Sequence, residues 1–373
     1  MDCKTKIGVQ KYRDFYAHKP NSPFIMKEFG WYCRDRWQRE GHVAPGQDLN
    51  RLFDFDEPGV YVLCQLGDCE VALHPPFEVK ILDSSDKYEI VQDVSGRHVK
   101  YFKGKRSGFM PEYVDHPVKD MKSWEENIKW RLDGSSETRK QEFDAVAPSI
   151  KQAVENGKFF SELMQGGYMY LRSLIGPEDL LYTFYDDPEL IHDCMKTWLE
   201  LSDRVLSYHQ QNFDIDELFL DEDICYNHSS LISHDMIREF LFPYYQQLIS
   251  KVRARNKDKS RTLQVQIATD GAAHTVIDLY KEIGMTYMSP FEVASGCDVV
   301  EIGKKYPDLL ISGGFDKRII AAGKEAIDRD IDRIMPVMYK RGGYIPTCDH
   351  GVPEEVSFEN YMYYHERLKE FST

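Results

Sequence analysis

No apolar run in the 373-residue sequence is long enough to cross a bilayer, and the opening MDCKTKIGVQ carries no apolar stretch of the secretory kind. The expected location is therefore the cytoplasm. Long basic tracts are also missing. The densest, KVRARNKDKSR (251–261), reads as a solvated helix end and loop, and 47 Lys and Arg stand against 62 Asp and Glu for a net charge of −15. A field of that sign repels a phosphate backbone, which argues against nucleic acid as a partner. The eight cysteines form no C-x-x-C pair and read as thiols of a reducing compartment. Neither G-x-G-x-x-G nor G-x-x-x-x-G-K-[ST] follows a candidate strand, so no nucleotide cradle is expected.

What is present is a large core and many rings: 42% of residues are hydrophobic and 13% aromatic. Rings in that number commonly line a ligand pocket as well as a core. In the first third, SPFIMKEFGW (22–31) reads as a buried strand leading into a helix that carries RDRWQREG. Residues 77–105 alternate with period two, interrupted by DSSD and SGRH, the pattern of an antiparallel meander. FFSELMQGGYMYLRS (159–173) reads as a strand interrupted by two glycines, followed by a helix over 188–206.

From residue 217 onward, five strand–helix units follow in series: ELFLDEDI, LQVQIATDG, MTYMSPFE, LLISGGFD and GYIPTCDHG each precede a helical stretch. Ser233 is the expected N-cap of the first of those helices. Serial βα units require a parallel sheet. Most of these strands end in a polar residue, as a barrel with its site at the strand C-termini would have them. The expected fold is a (β/α)8 TIM barrel formed by residues 1–373 as a single domain, with an N-terminal antiparallel β excursion at 77–105.

GPEDLLYTFYDDPELIHD, SHDMIREFLFPYYQQLI, TDG after a strand, PFEVASGCDVV, GGFDKR and DHGVPEEVSFENY stand in one order. Together they resemble the uroporphyrinogen decarboxylase superfamily over roughly residues 110–371. The resemblance implies a (β/α)8 barrel. It implies either a porphyrinogen decarboxylase or a methyltransferase serving a corrinoid protein, including the methyltransferase components of aryl-ether O-demethylases. The decarboxylases resemble one another in an RQAGRY-type loop that binds substrate carboxylates. Here the corresponding stretch is MKEFGWYCRDRWQREG, with Arg34, Arg36 and Arg39 but not the motif. The zinc methyltransferases resemble one another in H-x-C after a strand and a late cysteine. The H-x-C of this chain, His192–Cys194, falls within a helical stretch. Ala268 and Asp270 stand where that histidine and cysteine would be, and Cys348 stands near the last cysteine.

The candidate residues follow from these strand ends. Cys348, Glu292 and Asp270 form the expected mixed-donor zinc set. Cys348 and His350, two apart in an extended chain, are expected to point the same way. His350, Asp270 and Glu222 are the expected catalytic groups, as proton donors or acceptors. Asp223, Tyr168, Tyr170 and Asp316 are the expected substrate contacts. Alternative readings remain for each: helix capping for the carboxylates, core for the tyrosines, a structural ion pair for Asp316. The expected function is methyl transfer from a small methoxylated, aromatic donor to the cob(I)amide of a separate corrinoid protein, with a homodimer as the assembly considered. The alternatives are a decarboxylase using His350 and Asp270, and a barrel that binds without catalysis.

Overall fold

The computed structural model describes residues 3–103 and 111–372. Seven parallel strands lie side by side: β1 (Val60–Leu66), β6 (Phe159–Gln165), β7 (Glu217–Asp221), β8 (Gln264–Ala268), β9 (Tyr287–Ser289), β10 (Leu310–Ser312) and β11 (Tyr344–Ile345). Helices follow them in the outer layer, giving a (β/α) barrel. Between β1 and β6 a second, antiparallel sheet is inserted. It contains β2 (Lys80–Ser84), β3 (Tyr88–Gln92), β4 (His98–Phe102) and β5 (Glu112–Asp115), in that order. This sheet includes a strand beyond residue 105. Residues 104 and 105 of the expected excursion lie outside the described residues.

The eighth stave is not a laddered strand. Segment 22–29 has no strand pairing, yet it spans the gap between β11 and β1. Asp56 N–H donates to the Met26 carbonyl at 3.0 Å on one side, and Cys348 N–H donates to Glu28 Oε2 at 3.1 Å on the other. Its side chains alternate. Phe24 and Met26 join the main core between barrel and helices, while Ile25 joins an inner cluster with Tyr12, Phe15, Tyr287, Leu310 and Ile345. The helix Cys3–Tyr16 supplies the first two of these rings and closes the lower end of the barrel.

Strand periodicity sorts the polar residues. On β7 every second side chain faces inward. Glu217 and Ser161 meet inside the barrel at 2.8 Å, whereas Leu218 and Leu220 pack against the helices. Gly166–Gly167 is the turn from β6 into the helix Gly167–Ile175, not an interruption within a strand. A Cβ on Gly166 would collide with the Glu222 carboxylate and its backbone, and one on Gly167 would meet Met195 and the Tyr245 hydroxyl. The helical stretch after β7 is two helices, His234–Phe240 and Phe242–Arg255, because Pro243 cannot donate to the preceding turn. Ser233 caps the first, accepting from Met236 N–H at 3.1 Å.

Gly166→Ala should destabilise the protein by ~1–3 kcal/mol, because an inserted methyl in a closed site forces its neighbours to move. Urea denaturation followed by circular dichroism measures it, and an unchanged midpoint would show that the turn has slack.

Candidate functional site

The rim at the C-terminal strand ends is organised by Asp349, which is fully buried. Its carboxylate accepts from Val293 N–H at 3.0 Å and Lys317 N–H at 3.1 Å, joining the turns that follow β9, β10 and β11. Burial raises its pKa, and the nearby Lys317 works the other way. Lys317 Nζ reaches Glu292 Oε1 at 2.9 Å, and the other Glu292 oxygen accepts from Gly271 N–H at 2.9 Å. Glu292 is thus committed to a lysine and a backbone donor.

Beside this knot, His350 Nε2 lies 3.4 Å from Asp270 Oδ2. The Asp270 carboxylate raises the His350 pKa, and partial burial opposes it. The imidazole is walled by Phe29 and Tyr32, with ring centroids 4.9 and 5.7 Å away. These rings are 55% and 57% exposed, which places the pair at an open mouth. Neither ring was expected at the site, because nothing in an apolar sequence run marks which of its rings stay uncovered.

Across the mouth lies a group of carboxylates. Burial raises the Asp221 pKa, and Asp68, Asp223 and Asp270 add to the shift. Asp223 sits at φ 41° and pairs with Arg172 at 2.5 Å. Lys317 and Arg172, the lysine and arginine described at this rim, therefore already have carboxylate partners.

The other expected residues lie elsewhere. Glu222 is fully buried and faces the helices, as the alternation on β7 requires. It accepts from Tyr245 at 2.5 Å and Tyr280 at 3.0 Å, and burial raises its pKa to about 7. It fastens barrel to helix layer and does not reach the mouth. Tyr170 is 2% exposed and turned toward Cys194 and Asp193, away from the rim. Tyr168, also buried, lies beneath Asp223 and Arg172. Asp316 caps the helix Lys317–Ala322 and pairs with Arg318 at 2.7 Å.

The expected zinc set does not assemble. Cys348 is fully buried in the main core, so it does not share a direction with His350, and burial pushes its thiol well above the usual range. Among the described residues, the group of three ligand atoms lying within 4.8 Å of one another is Asp68, Cys69 and Asp221, not Cys348, Glu292 and Asp270. His192–Cys194 lies inside the helix Pro188–His209, and Cys297 is buried 3.4 Å from His274. A surface groove of about 840 Å³ lined by Glu189, His192, Tyr244 and Lys251 contains none of the strand-end residues.

The uroporphyrinogen decarboxylase (URO-D) family model matches residues 111–371. The chain belongs to that family. Over 72 residues it is 28% identical to a uroporphyrinogen decarboxylase from Hydrogenobaculum sp. (strain Y04AAS1). That match covers 19% of this chain and 21% of that protein, so the chain spans about a fifth of the relative it matches. A methyltransferase from Methanosarcina mazei superposes with a TM-score of 0.56 over 98% of this chain and 99% of that one, at 12% identity. At that identity the two share a fold. Among the described residues no helix is long and apolar enough to cross a membrane.

Replacing Asp270 with Asn should move the His350 titration to lower pH, followed by NMR of the imidazole Cε1–H. A histidine whose folded pKa is raised contributes stability below its unfolded pKa of roughly 6.5 and loses it as pH rises through the folded value. The same substitution should therefore lower the melting temperature at pH 5.5 and leave it nearly unchanged at pH 9. An unshifted resonance would refute the pairing.

Proposed function

We propose that this chain transfers a methyl group from a small methoxylated, aromatic donor to the cob(I)amide of a separate corrinoid protein docked over the barrel mouth. The observation that carries this reading is the charge of the rim. Porphyrinogen carries eight carboxylates, and this mouth would meet them with Asp68, Asp221, Asp223 and Asp270, while Lys317 and Arg172 are already paired. The three arginines of the stretch corresponding to the decarboxylase loop are engaged elsewhere. Arg34 donates to the Gln47 carbonyl at 2.8 Å, Arg36 to Glu40 at 2.7 Å and Arg39 to Glu354 at 2.5 Å. A polycarboxylate is a poor guest under those conditions. The family and the fold shared with a methyltransferase support the same choice.

The chain's own part is to position the donor and manage one proton. Phe29 and Tyr32 offer faces against which an aryl ring can lie. Protonated His350, held charged by Asp270, stands where an ether oxygen would lie beside those rings. An aryloxide leaves poorly until its negative charge is neutralised. As the methyl–oxygen bond breaks, its electron pair stays on oxygen and the Nδ1 proton of His350 passes to it, Nε2 being held by Asp270. The corrinoid supplies the low-valent cobalt nucleophile that receives the methyl. Phe29, Tyr32 and Tyr226, all exposed at the rim, form an apolar landing for such a partner.

Incubating the protein with a reduced corrinoid protein and a panel of methoxyarenes should deplete the cob(I)amide absorption and release the phenol. His350→Ala should slow this ~10²–10⁴-fold. The rate should fall as pH rises through the His350 pKa, and Asp270→Asn should bring that fall to lower pH. Carbon dioxide release from porphyrinogen with no phenol formed would overturn the proposal.

A further inference from the structure

A TIM barrel ordinarily fills its axis with side chains, and this one does so only in part. The lowest layer is sealed: Ile25, Tyr287, Leu310 and Ile345 are all buried, with Tyr12 and Phe15 beneath them. Above it, inward-facing residues of three adjacent strands stay uncovered. Val62 on β1 is 46% exposed although its register partner Ser161 faces the barrel interior. Cys64 is exposed, and Leu163 and Phe219 are half-buried. The opposite wall is polar, with Gln266 donating to Ser289 Oγ at 2.7 Å. A well therefore descends from the mouth along β1, β6 and β7.

Lys27 stands at its base. The alternation of segment 22–29 turns Lys27 to the same side as Ile25, one layer higher, among Tyr12, Tyr287 and Glu217. It is deep in the molecule yet only half-buried, and with the floor sealed below, the opening it faces is the well. The ammonium has the Tyr12 hydroxyl as an acceptor, and among the described residues no carboxylate lies within 4.0 Å of it. Glu217, the nearest acid on that level, is already served by Tyr16 at 2.9 Å and Ser161 at 2.8 Å. Tyr12 first, then Tyr287 and Glu217, favour its charged form over the cost of burial, so a standing cation faces the well and a ligand anion would give it the ion partner it lacks.

We infer that the well is the donor subsite and that Lys27 selects a methoxyarene bearing a single carboxylate at the end remote from the methyl group. This rests on the methyl-transfer reading and deepens it. Glu217 and Asp221, four residues apart on β7, set the depth at about 13 Å. An aryl ring with a short acid-bearing chain spans that depth. Its acid-bearing chain would run past Val62, Leu163 and Phe219, leaving the ring and its methoxy oxygen beside Phe29, Tyr32 and His350. One carboxylate passes the acidic rim with a modest penalty, whereas eight do not.

Titration calorimetry with 3-(4-methoxyphenyl)propanoate and its primary amide tests this without turnover. The wild-type protein should bind the acid at least tenfold more tightly than the amide. Lys27→Met should bind the two alike, and Val62→Trp, which fills open space and keeps Lys27, should bind neither while melting like the wild type. Equal affinities in the wild type, a preference that survives in Lys27→Met, unaltered binding in Val62→Trp, or no saturable binding of either probe would each overturn the subsite. Acid-selective binding without methyl transfer would sink the function and keep the subsite. Transfer without acid selectivity would do the reverse.

Discussion

One buried carboxylate holds the rim together. Asp349 has no exposed surface, yet its two oxygens accept from backbone donors on two other turns, so the chain after β11 is fixed against the chains after β9 and β10. Removing a carboxylate from water is expensive unless donors replace the water, and here the two donors belong to two other βα units. The interaction thus converts a desolvation cost into a geometric constraint. It places Lys317 over Glu292, and it leaves His350, the next residue, turned outward beside Asp270. The imidazole at the mouth is positioned by a neighbour that is itself fully buried.

Much of this was legible. The five βα units after residue 217, the cap at Ser233 and the polar strand ends follow from periodicity and capping chemistry, and they correctly imply a barrel. What periodicity leaves open is phase. In LDED on β7 any of three acids could face the mouth by composition. The structure assigns Asp221 and Asp223 to the barrel side and Glu222 to the helix side. The same ambiguity hid Cys348, because the turn that Asp349 enforces breaks the extended geometry in which residues two apart share a direction. Segment 22–29 shows a third limit. Its alternation is that of a strand, but its links to both neighbours run through a carbonyl and a side chain, which no sequence pattern announces.

The tyrosines show a related limit. A chain with 23 tyrosines suggests a pocket lined by them. Most of the relevant hydroxyls instead point at buried acids. Tyr245 and Tyr280 donate to Glu222, Tyr361 to Glu28 at 3.1 Å and Tyr16 to Glu217 at 2.9 Å. Glu162 follows the same plan with His209, 2.7 Å away and stacked on Phe143. Burial raises the pKa of each of these acids, to about 8 for Glu28 and about 7 for Glu222. The joints at Glu162, Glu222 and Glu28 each link a barrel residue to an outer helix through a hydrogen bond. Such joints have direction, since an acid and a hydroxyl satisfy each other in few orientations.

That directionality bears on why the axis can stay partly hollow. A barrel held only by interior packing would lose its shape if the central layer were removed, because packing density and stability go together. Here the staves are also fastened from outside, at Glu162, Glu222 and Glu28, and from below by the rings of the helix Cys3–Tyr16. The interior along β1, β6 and β7 is relieved of part of that task. It can keep Val62 and Cys64 uncovered and hold an ammonium at the bottom without collapse. The polar joints on the helix side and the open well on the axis are two consequences of one strand alternation.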